Sequence, residues 1–174
     1  IFLAPYNTEW KIWGCSPGAA LSIQQHRIDA WFELHRYEPD QSWFHDGYKK
    51  FLTDCKCPIF MIDKMEQFPN SHPYPYAQVK AEFPRLAPYT STVAWMMALA
   101  IHQPGVEEIG FWGIDMAAQE EYATQLVGAH YFIMEAEKRG IKVTIPPESD
   151  LSNPYMEYGF WEATHKGIKL QARA

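Results

Sequence analysis

The chain has 174 residues, a length that fits one domain. Its 47% hydrophobic and 16% aromatic content supplies an ample core and excludes a disordered chain. A formal net charge of −6 excludes a non-specific nucleic-acid binder held by a basic excess, yet it allows a small anionic ligand, because backbone amides hold a phosphate without Lys or Arg.

In chain order, Ile1 to Ala4 reads as a short buried strand stopped by Pro5, and Lys11 to Cys15 as a second, ended by Ser16-Pro17-Gly18. Ile28 to Leu34 reads as a third strand, followed directly by His35 and Arg36. Ser42 to Leu52 reads as a helix opened by a capping serine, and Pro58 to Ile62 as a fourth strand. Pro69 to Pro88 is punctuated by Pro73, Pro75 and Pro84, and reads as irregular chain, a long loop or lid. Thr90 to His102 carries the strongest helical signal, with Val93, Met96, Met97, Ala100 and Ile101 at helical spacing. Glu108 to Trp112 reads as a fifth strand, Tyr122 to Lys138 as a second long helix ended by Arg139-Gly140, and Ile141 to Ile145 as a sixth strand.

Apolar strands alternating with amphipathic helices predict a single α/β domain over residues 1–150: a Rossmann-like, mostly parallel sheet with helices on both faces. Residues 151–174 read as a C-terminal tail packed on it through Tyr155, Tyr158, Phe160 and Trp161. Cys15, Cys55 and Cys57 are an odd set, and Cys55-Lys56-Cys57 is too tightly spaced for a zinc knuckle, so all three read as reduced thiols. No apolar run approaches the roughly 20 residues of a membrane span, and no secretory leader is read, so the expected setting is the cytoplasm, without a membrane or nucleic-acid partner.

In a parallel sheet, ligands bind at the carboxyl ends of the strands, and that rule selects the candidate residues. Gly14 and Ser16 follow the second strand, where small residues let backbone approach a phosphate; the plainer alternative is a tight Pro-Gly turn. Thr90, Ser91 and Thr92 open a helix, and their hydroxyls could either contact ligand or simply cap it. Gly113 and Asp115 follow the fifth strand, with Glu121, Tyr122 and Gln125 beyond; Asp115 can hold sugar hydroxyls or act as a base, or merely close a turn. His35 is the second catalytic candidate because it follows a strand directly, while His130 lies on a helix that starts near the same rim. No metal site is expected, and no G-x-S-x-G, Walker or H-E-x-x-H motif is present.

Thr90-Ser91-Thr92-Val93-Ala94, Glu107 to Asp115, Ile141 to Pro146 and Ser149-Asp150-Leu151 together resemble the bacterial sialyltransferase family of the single-Rossmann type. They are also similar to the 6-hydroxymethylpterin pyrophosphokinase-like proteins and, closest in style, to small phage-type Rossmann-like proteins with a Gly-Ile-Asp-Met, Glu-Tyr, Gln pattern. The resemblance covers about a third of the chain. It implies a nucleotide cleft bounded by residues 90–92, the loop from Ala4 to Asn7, and Gly113 with Asp115. Two departures stand out: Ala4-Pro5-Tyr6-Asn7 replaces the family's glycine-rich loop, and no histidine aligns with the sialyltransferase catalytic one.

The expected function is binding of a nucleotide or nucleotide sugar, the latter as substrate of a glycosyl-type transferase with Asp115 or His35 as base. The alternatives are a phage-type protein that binds or sequesters a nucleotide without turnover, and a structural or assembly protein that retains only the fold. No cofactor is assigned, and the oligomeric state is left open.

Overall fold

The structure is a computed structural model and describes residues 3–23, 26–116 and 124–152. Ile1 and Phe2 of the first expected strand, the ligand candidates Glu121 and Tyr122, and the aromatic anchors Tyr155, Tyr158, Phe160 and Trp161 lie outside the described residues.

Four parallel strands form one sheet in the order β1-β2-β3-β4: β1 (Trp13–Cys15), β2 (Ala30–Glu33), β3 (Ile59–Met61) and β4 (Ser71–Pro73). A second parallel pair, β5 (Glu108–Gly110) and β6 (Lys142–Thr144), stands apart from it. The helices are α1 (Pro17–Ile23), α2 (Asp46–Asp54), α3 (Tyr76–Glu82), α4 (Thr92–His102) and α5 (Leu126–Lys138). The class is therefore mixed α/β with parallel strands, and no helix among the described residues is long and apolar enough to cross a membrane.

Strand periodicity explains why the four-stranded sheet is covered on both faces. Side chains alternate across a strand, so Trp31, Ile59 and Met61 point one way into a cluster with Ala20, Ile23, Tyr48, Phe51 and Leu52 of α1 and α2. Ala30 and Phe32 point the other way, into a cluster with Val79, Ala94, Met97, Leu126 and Phe132 of α3, α4 and α5. Every residue of β2 is buried, the near-continuous burial that parallel strands require.

Several expected elements take a different form. Leu3 and Ala4 lie in a turn, with Leu3 exposed, so the described part of the first expected strand is not extended. The second expected strand does end before Ser16-Pro17-Gly18, but Pro17 then opens α1 where the sequence reads only as a turn, because proline has no amide to leave unpaired at a helix's first position. Ser42 caps no long helix. It begins a 3-10 turn, Ser42–Phe44, and α2 follows with His45 accepting the Tyr48 amide at its start. The proline-rich stretch holds β4 and α3. Pro73 sits on the edge strand, where no ladder donor is needed, and Pro75 immediately precedes α3. At the end of α5, Gly140 takes φ 80° and the Ile141 amide reaches back to Ala136, the expected left-handed termination.

Candidate functional site

The loop after β1 carries an unusual backbone. Ser16 has φ 78°, a left-handed conformation that side-chain-bearing residues rarely adopt, and its carbonyl accepts the amides of Ala19 and Ala20 in the first turn of α1. After β5, Gly113 has φ 74° and Met116 φ 55°. Ser16 and Met116 are the non-glycine residues at positive φ among the described residues, and each stands in a loop that leaves a strand. Such strain persists where the surroundings over-determine it, and it clusters at ligand sites. Met116 is buried, so packing holds its turn closed, while Ser16 is exposed.

At the end of β2, the neighbour of β1 on the side away from β5, lies the most developed chemistry. Glu33 is 1% exposed, and its carboxylate accepts three hydrogen bonds. The His35 amide and Nδ1 meet Oε1 at 2.9 and 2.6 Å, and Tyr48 Oη donates to Oε2 at 2.7 Å. Tyr48 in turn accepts from Trp31 Nε1 at 3.0 Å. A buried carboxylate survives only when so paired. The His35 side chain is 53% exposed, and its ring lies 5.5 Å from that of Trp43. The hydrogen bond to Glu33 raises the imidazole's pKa above its ordinary 6.5, against an opposing effect of burial. With Nδ1 turned to Glu33, the ring's other nitrogen is the one left to meet a ligand. Burial, with the Glu33 charge adding to it, pushes the neighbouring Cys15 thiol up to about 12, which makes it inert. Trp31, Glu33 and Tyr48 were missed by sequence reasoning. The signal available was a glutamate inside the apolar run Ala30-Trp31-Phe32, a position that demands a buried partner.

The hydroxyls before α4 are largely committed elsewhere. Ser91 Oγ caps the helix by accepting the Ala94 amide at 3.1 Å. Thr90 Oγ1 accepts the Gly128 amide at 3.2 Å and donates to the Gln125 carbonyl at 3.3 Å, so it serves as the acceptor for a free amide in the first turn of α5. Thr90 and Gln125 are thus brought together as a helix-packing joint. Thr92 begins α4 half-buried. Asp115 is exposed in the loop beyond Gly113, and Asn7 is exposed in a turn. His130 meets the Leu151 carbonyl at 2.9 Å, a packing role. Cys55 and Cys57 are free thiols with their sulfurs 3.2 Å apart; the hydrogen bond from Cys57 draws the Cys55 thiol down to about 7. Among the described residues, no group of three or more His, Cys, Asp or Glu is placed to hold a metal ion.

One cavity of about 500 Å³ lies along β1 and β5. Gly14 of β1, Val93 in the first turn of α4, and Gly113 and Ile114 after β5 all border it. The cavity runs along the length of both strands, from Lys11 to Cys15 and from Glu107 to Ile114, and His35 stands one strand away from it, beyond the end of β2.

No family model matches the chain, and neither a curated protein nor a solved structure is similar to it.

Proposed function

We propose that this domain is Rossmann-like and binds a nucleotide or nucleotide sugar at the carboxyl ends of β1, β2 and β5. The observation that carries the reading is the half-exposed His35 imidazole, held by the buried Glu33 one strand from the strained Ser16 turn. An exposed imidazole whose charged form Glu33 favours, with the exposed Arg36 next in the chain, suits a phosphate oxygen through a charge-assisted hydrogen bond. Parallel strands whose flanking helices cover both faces support the Rossmann-like part.

In this reading His35 donates a hydrogen bond to the ligand or serves as the acid or base of a transfer reaction, with Glu33 orienting the ring and favouring its charged form. Binding without turnover is the second reading. It is favoured by the exposed Asp115 and by Thr90 and Ser91, whose hydroxyls are already engaged in helix packing and capping.

The test is a thermal-shift panel of nucleoside mono- and diphosphates and nucleotide sugars on the wild-type chain and on His35→Gln. A ligand at ~100 times its Kd stabilises the fold by roughly 2.7 kcal/mol, a rise of several degrees at this size. The expected result is a selective shift in the wild type and about tenfold weaker binding in His35→Gln. Equal shifts in both proteins would remove His35 from the site, and a flat panel would leave the structural-protein alternative.

A further inference from the structure

The cavity between β1 and β5 has the features of a vacant strand position. In an extended chain, the N–H and C=O of successive residues point to opposite edges. The Ile12 carbonyl accepts the Asp29 and Ala30 amides, and its own amide donates to the Asp29 side-chain carboxylate, so Ile12 faces β2. Gly14 then also faces β2, and the backbone groups of Trp13 and Cys15 face away from it. On the other side, the Phe111 amide donates to Thr144 and the Glu107 carbonyl accepts from Lys142, so odd-numbered residues face β6. Glu108 and Gly110 therefore face away from β6. All four residues border the same cavity. Beyond the two ladders, none of these backbone groups has a backbone partner among the described residues. Two sheet edges whose outward backbone groups have no backbone partner among the described residues, facing one cavity, form a template for one more strand.

The walls specify what that strand must be. Met96, Met97 and Ala100 of α4 line one side, and Ala19 and Ile23 of α1 line the other. A strand in this slot is buried on both faces and reads as a continuous apolar run without alternation.

The winding of the chain specifies where it comes from. From the cavity outward, β1, β2, β3 and β4 follow in sequence on one side, and β5 and β6 follow on the other. The helices α1 and α2 that follow β1 and β2 cover one face, while α4 and α5, which precede β5 and β6, cover the opposite face. Right-handed crossovers require this change of face where the direction of winding reverses. In a doubly wound sheet, the strand at the reversal is the first in sequence. A parallel neighbour of β1 also needs a crossover of about a dozen residues. The stretch 3–12 supplies much of one, and its Tyr6 and Ile12 pack with Ala20 and Ile23 on the face where a right-handed crossover into β1 belongs.

We infer that the slot is filled by a chain segment preceding Ile1: an apolar strand of about four or five residues, parallel to β1, whose carboxyl end delivers its following loop between the Ser16 and Gly113 turns. The inference stands on backbone pairing and winding, and does not depend on nucleotide binding. The loop so delivered lies at the topological switch point, where open α/β sheets bind ligands.

Amide hydrogen exchange tests it without any ligand. The 174-residue chain is compared with the same chain extended by the residues its gene encodes ahead of Ile1. In the short chain, the Trp13, Cys15, Glu108 and Gly110 amides should exchange fast. In the extended chain they should slow by about 100-fold or more, while the Phe111 amide, already paired with β6, changes little. The inference is overturned if the reading frame supplies no upstream apolar run, or if the four amides stay fast in the extended chain. It is equally overturned if they are already slow in the short chain, whether through direct β1–β5 pairing (a monomer by size) or a strand donated by a second copy (a dimer). Should the short chain not fold alone, cross-strand NOEs decide the matter in the extended chain. Contacts from the upstream run to Trp13 and Gly110 support the inference, and their absence overturns it.

Discussion

Replacing Tyr48 with phenylalanine is expected to destabilise the fold by about 2–4 kcal/mol, although the change removes one oxygen and leaves the ring. Trp31, Glu33 and Tyr48 are each 1% exposed or less, so water cannot replace what is lost. The Tyr48 hydroxyl is both acceptor for Trp31 Nε1 and donor to Glu33 Oε2. Its removal strands an indole N–H and one carboxylate oxygen together, and each buried orphan costs about 1–3 kcal/mol, more for the charged group. Urea unfolding should show a lower midpoint at an unchanged slope. Because the partners form one network, Glu33→Gln combined with Tyr48→Phe should cost less than the sum of the two single changes. A loss below about 0.5 kcal/mol for Tyr48→Phe, within the range of ordinary surface substitutions, would mean that the network does not hold Glu33 in place.

The second large effect is expected at Gly128. Alanine is the better helix former by about 1 kcal/mol, so propensity alone predicts a gain for Gly128→Ala. The packing predicts the reverse. An added Cβ would lie 2.4 Å from the Pro88 carbonyl oxygen, 2.4 Å from Thr90 Oγ1 and 3.1 Å from the Ala94 Cβ. One of these is backbone and none is the far end of a flexible side chain, so the segment leading into α4 must move away from α5. Overpacking of this kind costs about 1–3 kcal/mol or more and breaks the Thr90 joint as well. Gly18→Ala in α1 is the control, because its Cβ meets only Ser16 Oγ, at 3.8 Å, and should be neutral or mildly stabilising. Thermal unfolding of the two variants should move in opposite directions, or at least differ by several degrees. Equal melting temperatures would show that the α4–α5 contact is looser than the geometry describes.

The sequence carries the long-period features of this fold well and the short polar ones poorly. Helix α4 and the buried strand β2 announce themselves through apolar spacing, and the Arg139-Gly140 termination of α5 through its glycine. Two prolines do more than break the chain, because a proline ends an element only where its missing amide is needed. Pro17 begins α1 and Pro73 occupies an edge strand, where that amide has no ladder partner to lose. The order of strands alone is enough to place Ser16, His35 and Gly113 past the ends of β1, β2 and β5, whereas Gly14 lies inside β1. It could not separate Thr90 from a ligand contact, because the partner that claims its hydroxyl is 38 residues away at Gly128. Nor could it find Glu33, whose carboxylate breaks an apolar run and makes sense only once Tyr48 and His35 are placed against it.

The central claim is that Glu33 holds His35 charged where a phosphate can reach it, and an NMR titration of the His35 ring protons tests it most directly. A histidine whose folded pKa is raised contributes stability that is fully present below the ordinary value near 6.5 and lost as pH rises through the folded pKa. Ligand affinity should follow the same course and weaken across that window. The predicted result is a His35 midpoint above 6.5 in the free protein, a lower one in Glu33→Gln, and a further rise at saturation with the nucleotide selected by the thermal panel. A midpoint at or below 6.5 in the free protein, or one that saturating nucleotide leaves unmoved, would contradict the account.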